Sequence, residues 1–271
     1  DEKLGGRIHT IYKDNYNYEC GAARFNEKHT KLISLITELD LDDEMIKLPK
    51  QIDSKCREYK TENKLNISYL FTILKTAYKK YSKSFLKNIT FFQLLVEVFD
   101  FETAKFIQDT FGYDSEFIHL NADAAMIMFK DDLFSNNNYY CLKNGLSGII
   151  RKMEEFLSFY SNVKILKNNK LKNIFDDKII TNIDTYYFKN LVLAIPPFEL
   201  KKLDAFKDST LINSVQPINL LRIYAKYPKQ DGKYWFENIN RTTTNNYIRQ
   251  IIPINKENGL IYNDKSKVIG N

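Results

Sequence analysis

At 271 residues, 44% of them hydrophobic and 27% charged, the chain has the composition of an ordinary globular protein, long enough to bury a sizeable core. Its net charge of +6 permits nucleic-acid contact without arguing for it, since the lysines are scattered among asparagines, as in Lys164–Lys172, like solvated faces. No run of eighteen apolar residues is present, which argues against a transmembrane helix. Cys20, Cys56 and Cys141 are too far apart for a CxxC pair, and the three histidines form no metal-binding array. Free thiols suit a reducing compartment, so an intracellular, cytoplasmic location is expected. The opening DEKLGGR has neither a methionine nor a basic-then-apolar pattern, and it reads as a chain entered partway.

In chain order, Arg7–Tyr12 and Tyr16–Cys20 flank a turn at Asp14-Asn15 and predict a hairpin. Asn26 offers an N-cap to a helix striped by Leu32, Leu35, Ile36 and Leu39. A second helix carries Ile67, Leu70, Phe71, Leu74, Tyr78 and Tyr81 on one face. Thr90 with Gln93 has the spacing of a capping box. Asp100 is placed to cap the next helix, which Gly112 ends. Residues 146–160 form one more amphipathic helix through Leu146, Ile149, Ile150, Met153 and Leu157. Short β-rich runs follow at Val163–Leu166, Leu171–Phe175, Lys178–Ile183, Leu191–Ile195, Leu220–Tyr227 and Tyr247–Ile254. Strands, a helical insertion and strands again predict an α/β protein with interleaved domains.

Pattern alone yields little chemistry. The Gly5-Gly6 pair before Arg7 would let backbone approach a ligand and put a guanidinium beside phosphate, but a plain turn explains it as well. The dinucleotide fingerprint GxGxxG is absent, and no Ser, His and Asp set is ordered as a hydrolase triad.

The order of segments says more. LGGRIHTIYKDNYNYECGAARFNEKH resembles the second flavin-contacting segment of the flavin-containing amine oxidases, which include the monoamine, polyamine and L-amino-acid oxidases. Gly21-Ala22-Ala23-Arg24 followed by Glu27-Lys28-His29 is most similar to the L-amino-acid side. Lys143–Leu157 resembles the family's "GGM…L…LA" helix, Leu191–Leu200 its "VVxAIPPxxL" strand-turn, and Leu221–Trp235 its "K…Y…P…W" strand pair.

The resemblance implies an FAD-binding amine-oxidase fold with an incomplete Rossmann-like domain. On it, residues 1–25 and 136–200 belong to the FAD-binding domain, residues 26–135 to a largely helical part of the substrate domain, and residues 201–271 to that domain's β part. The family's GxGxxG segment falls before Asp1 and its last flavin-binding segment beyond Asn271. Gly5, Gly6 and Arg7 are implied to face the FAD pyrophosphate, while Gly21, Ala22 and Ala23 pass close to the isoalloxazine ring. Arg24 matches an arginine that grips a substrate carboxylate, with a salt bridge to Glu27 as the structural alternative. The Leu171 backbone is implied to pair with adenine, and Ala194 and Pro196 to lie under the cofactor. Arg222 stands where most members carry a lysine bonded through water to flavin N5, so it is the candidate catalytic residue. A surface arginine beside Lys226 is the alternative there.

The implied activity is FAD-dependent oxidation of a small-molecule amine or L-amino acid to an imine, with hydride passing to the flavin and peroxide released. A non-catalytic scaffold that keeps the fold, and a flavin dehydrogenase or desaturase acting on a non-amine, stand beside it. No metal is implied, nucleic acid is not an expected partner, and the oligomeric state is open.

Overall fold

The computed structural model describes residues 2–13, 16–48, 52–55, 67–132, 138–215, 217, 220–255 and 260–266. The first part of the chain holds β1 (Thr10–Lys13), β2 (Tyr16–Glu19), β3 (Phe25–Asn26), α1 (Thr30–Glu38), β4 (Met45–Lys47) and β5 (Ile52–Lys55). A helical stretch follows, with α2 (Ile67–Tyr78), α3 (Lys83–Asn88), α4 (Phe91–Val98), α5 (Phe101–Phe111), α6 (Ser115–Ile118) and α7 (Ala122–Asp132). Then come β6 (Tyr139–Leu142), α8 (Ser147–Ser158), β7 (Leu171–Ile174), β8 (Lys178–Thr181), β9 (Thr185–Tyr187), α9 (Pro197–Leu200) and α10 (Thr210–Asn213). The last strands are β10 (Leu220–Lys226), β11 (Arg241–Thr244), β12 (Gln250–Asn255) and β13 (Leu260–Ser266).

The chain divides into two compact units, each built from separated segments. The first comprises Asp1–Ala23, Leu35–Glu44 and Leu142–Ile218, and the second Arg24–Ser34, Met45–Cys141 and Asn219–Asn271. Residues 35–44 and 201–218 thus group with the first unit.

In the first unit the β1–β2 hairpin pairs Thr10 with Glu19 and Lys13 with Tyr16, and its turn at Asp14-Asn15 lies outside the described residues. The hairpin supplies what α8 lacks at its start, since Leu146 in the cap position has no side-chain acceptor. Ser147 N–H donates to Thr10 Oγ1 at 3.0 Å, Thr10 N–H donates to Ser147 Oγ at 2.8 Å, and Leu146 N–H donates to Glu19 Oε1 at 2.6 Å. An acidic side chain at that end also meets the positive pole of the helix. Strands β7, β8 and β9 form an antiparallel sheet in that order.

The second unit has the larger core. Leu70, Phe71 and Leu74 of α2, Phe91, Leu94 and Leu95 of α4, Ile107 of α5 and Phe129 of α7 are buried in one apolar cluster. Each buried side chain of this size contributes about 1.5–3 kcal/mol relative to exposure. The Thr90–Gln93 capping box forms, Asp100 accepts from Thr103 N–H at 2.7 Å, and Gly112 closes α5 in the left-handed region at φ 74°. Tyr78 OH donates to Asp123 Oδ1 at 2.6 Å, tying α2 to α7 and pushing the phenol pKa up to about 12. The hydrogen bond to the carboxylate is the main cause, followed by burial and then the nearby negative charge. A five-stranded sheet runs β10-β13-β12-β11-β5, antiparallel except for β11 beside β5.

Three local expectations need correction. Asn26 lies in β3 rather than capping α1, and its Oδ1 accepts from Lys28 N–H at 3.0 Å in a local turn, so the helix begins only at Thr30. Val163–Leu166 and Leu191–Ile195 form no strand among the described residues, although both are apolar and β-rich. Their composition suits a ladder, yet no described strand pairs with either.

Candidate active site

In the first unit, the chain from Gly5 to His9 lies alongside Cys20–Ala22. Gly5 and Gly6 have φ of 112° and 55°, and Ile8 N–H donates to Gly5 C=O at 2.9 Å to close the turn. A Cβ at Gly5 would come within 2.4 Å of the Ile8 carbonyl oxygen, whereas one at Gly6 meets nothing within 4 Å. Past the turn, Ala22 N–H donates to Arg7 C=O at 3.0 Å and Cys20 N–H to His9 C=O at 2.8 Å. A Cβ on Gly21 would stand 1.7 Å from the Arg7 carbonyl oxygen. That contact alone requires glycine, so the residue type is explained inside the chain. The structure thereby joins Gly5, Gly6, Arg7, Gly21 and Ala22 in one backbone-paired segment, with Arg7 and Ala22 exposed and Ala23 half-buried.

The other first-unit candidates sit elsewhere in that unit. Leu171 opens β7 opposite Thr181. Ala194 is exposed in irregular chain, and Pro196 precedes α9 with φ −60° and ψ 146°.

In the second unit, Arg24 is half-buried just before β3. Its Nη2 donates to Tyr113 OH at 2.6 Å, and its guanidinium carbon lies 5.7 Å from the centre of the Tyr139 ring, a cation–π arrangement. Among the described residues no carboxylate forms an ion pair with Arg24, so the Glu27 salt bridge is not made. Tyr139 is brought there by strand register, standing opposite Asn26 across the β3–β6 pair. Tyr113 follows the Gly112 helix stop. Sequence reasoning missed both tyrosines, because their relation to Arg24 depends on pairings across 89 and 115 positions, and the αL glycine was the only local sign of that turn.

Arg222 lies in β10, whose faces alternate against the usual expectation. Leu221 and Ile223 are 49% and 44% exposed, while Arg222 and Tyr224 are half-buried. The β10–β13 register sets Arg222 opposite Asp264. Glu116 accepts from Ser115 Oγ at 2.6 Å.

Residues 1–66 match the family profile of the flavin containing amine oxidoreductases. Wild-type putrescine oxidase bound to putrescine superposes with a TM-score of 0.71 at 15% identity, over 98% of this chain and 69% of that one. A fatty acid isomerase from P. acnes gives 0.64 at 12% identity, over 97% and 68%. A putative protoporphyrinogen oxidase from Exiguobacterium sp. 255-15 gives 0.59 at 13% identity, over 97% and 69%. At these identities the likeness shows the fold alone. No curated protein sequence matches the chain. The profile match is confined to residues 1–66 of the 271, and the whole chain shares the α/β fold of these structures. Among the described residues no helix is long and apolar enough to cross a membrane.

Proposed function

We propose that this protein oxidises a small primary amine bearing a carboxylate, an L-amino acid, with FAD as the electron acceptor. One observation carries the reading: Arg24, next in sequence to the Gly21-Ala22-Ala23 segment, is half-buried and has no carboxylate of the described chain as its ion-pair partner. An arginine so placed is suited to a ligand carboxylate, which its planar fork binds through two parallel hydrogen bonds.

The first unit fits the phosphates of FAD. Two successive glycines at positive φ make a turn in which space is open at Gly6 and Arg7 is exposed, as a phosphate-binding turn requires. Ala22 adds only a methyl group at the neighbouring position, so backbone can approach a flat ring. When bound, the flavin supplies the electron-accepting chemistry, removing a hydride equivalent from the carbon that bears the amine and leaving an imine for water to hydrolyse. Arg24 orients that carbon by holding the carboxylate. Arg222 contributes a charge that no accessible pH removes, on the half-buried face of its strand, where it would favour developing negative charge.

The test is anaerobic mixing of the FAD-loaded protein with an L-amino acid and, separately, with the amine made by decarboxylating it. The amino acid is expected to bleach the flavin absorbance at lower concentration than the amine, and the preference is expected to vanish in Arg24→Ala. Equal bleaching by the two compounds in the wild type would remove the carboxylate reading. Bleaching by neither would remove amine oxidation as well.

A further inference from the structure

The surroundings of Arg24 name a residue on which its work depends. A guanidinium on a flexible stem offers five N–H donors, and it presents a carboxylate-binding edge only if something fixes its plane. Tyr113 does so here by accepting from Nη2 at 2.6 Å, while the Tyr139 ring bounds one face.

Tyr113 is itself held from both sides. Before it, Gly112 is buried at φ 74°, and a Cβ there would meet Gln250 Cγ at 3.0 Å and the Arg249 carbonyl oxygen at 3.1 Å. The α5 stop is thus seated on β12. After it, Asp114 forms an ion pair with Arg249 Nη2 at 3.1 Å and accepts from Gln108 Nε2 at 3.0 Å. Arg249, 5% exposed, also binds Asp109 at 2.9 Å. A turn gripped by a buried arginine and a tight glycine has little freedom, so its tyrosine hydroxyl is preorganised. We propose that Tyr113 is a positioning residue that sets the plane of Arg24 and thereby the selectivity for a carboxylate over an uncharged ligand. The proposal rests on the carboxylate reading of Arg24 given above.

The experiment uses the purified 271-residue chain with benzoate as the carboxylate probe and benzyl alcohol as its uncharged counterpart, binding followed by titration calorimetry and ligand-observed NMR. Wild-type protein is expected to bind benzoate more tightly than benzyl alcohol, and Arg24→Ala to abolish the difference. Tyr113→Phe keeps the ring and removes the hydroxyl. It is expected to weaken benzoate about ten-fold, which is about 1.4 kcal/mol, without changing benzyl alcohol binding or the melting temperature. An effect of Tyr113→Phe on both probes alike would mean a general packing role and overturn the proposal. If Arg24→Ala abolishes the preference and Tyr113→Phe leaves it intact, the positioning role fails while the carboxylate reading stands. If Arg24→Ala changes nothing, or the wild type shows no preference, both fall.

Discussion

Replacing Arg249 with methionine removes the charge at the centre of the buried polar cluster between α5 and the sheet. The substitution keeps much of the apolar stem and deletes contacts to Asp109 at 2.9 Å, Asp114 at 3.1 Å, the Gln108 carbonyl at 3.3 Å and the Thr244 carbonyl. Asp109 has a side chain only 1% exposed, so it loses a partner where water cannot replace it. Breaking a buried pair from one side costs about 3–5 kcal/mol. Lys105 still reaches Asp109 at 2.9 Å and Gln108 still donates to Asp114, which places the loss near the lower end, about 3 kcal/mol. For a unit of this size that lowers the melting temperature by about 6–12 °C. Thermal and urea unfolding followed by circular dichroism measure it. The pair Arg249→Met with Asp109→Leu should recover much of the loss, because the uncompensated charge is then gone, giving a coupling of about 1–3 kcal/mol. A single-variant loss below about 0.5 kcal/mol, or strict additivity in the double variant, would refute the argument.

Two further outcomes follow from single contacts. Gly21→Ala places a methyl carbon where only 1.7 Å separates it from the Arg7 carbonyl oxygen, so the Ala22–Arg7 hydrogen bond must open. A loss of about 2–4 kcal/mol is expected from overpacking and that bond, with FAD affinity falling as well; wild-type melting behaviour in this variant would contradict the contact. Tyr78→Phe removes the donor to Asp123 and is expected to cost about 1.5–3 kcal/mol at neutral pH. Because folding raises this phenol from 10.0 to about 12, the difference from wild type should be full below pH 10.0 and disappear as pH climbs through about 12. A difference that stays constant up to the alkaline limit would show that the hydroxyl is not bound to Asp123.

Where a signal is local, the sequence carries it. Thr90 with Gln93, Asp100 with Thr103, and Gly112 each act within one helical turn, and each does in the fold what its spacing implies. Asn26 shows the limit of such signals. The same side chain that caps helices also makes tight turns, and the pairing of Phe25 and Asn26 with Tyr140 and Tyr139 selects the strand. Val163–Leu166 and Leu191–Ile195 show another, since a β-prone run becomes a strand only when a neighbour pairs with it. The parallel match of β5 with β11 brings Ile52 beside Arg241, a relation that no periodicity encodes. The candidate site divides in the same way. The glycines and Arg24 stand out as motif, while Tyr113, Tyr139 and Arg249 become meaningful only when distant segments meet.

The junction between the hairpin and α8 bears on how the first unit breathes. Twelve residues are marginal for an isolated helix, and the first amides of this one are bonded to Thr10 and Glu19. Fraying of α8 and opening of the hairpin are therefore one event. Backbone deuterium uptake at Leu146 and Ser147 should keep pace with that at Thr10, 137 positions away in sequence, rather than with the far end of the helix. The Gly5–Arg7 turn is tethered to the same hairpin through the Arg7–Ala22 and His9–Cys20 bonds. A ligand that ordered the turn would slow exchange at the start of α8 without touching it, giving a reporter of occupancy remote from the ligand itself.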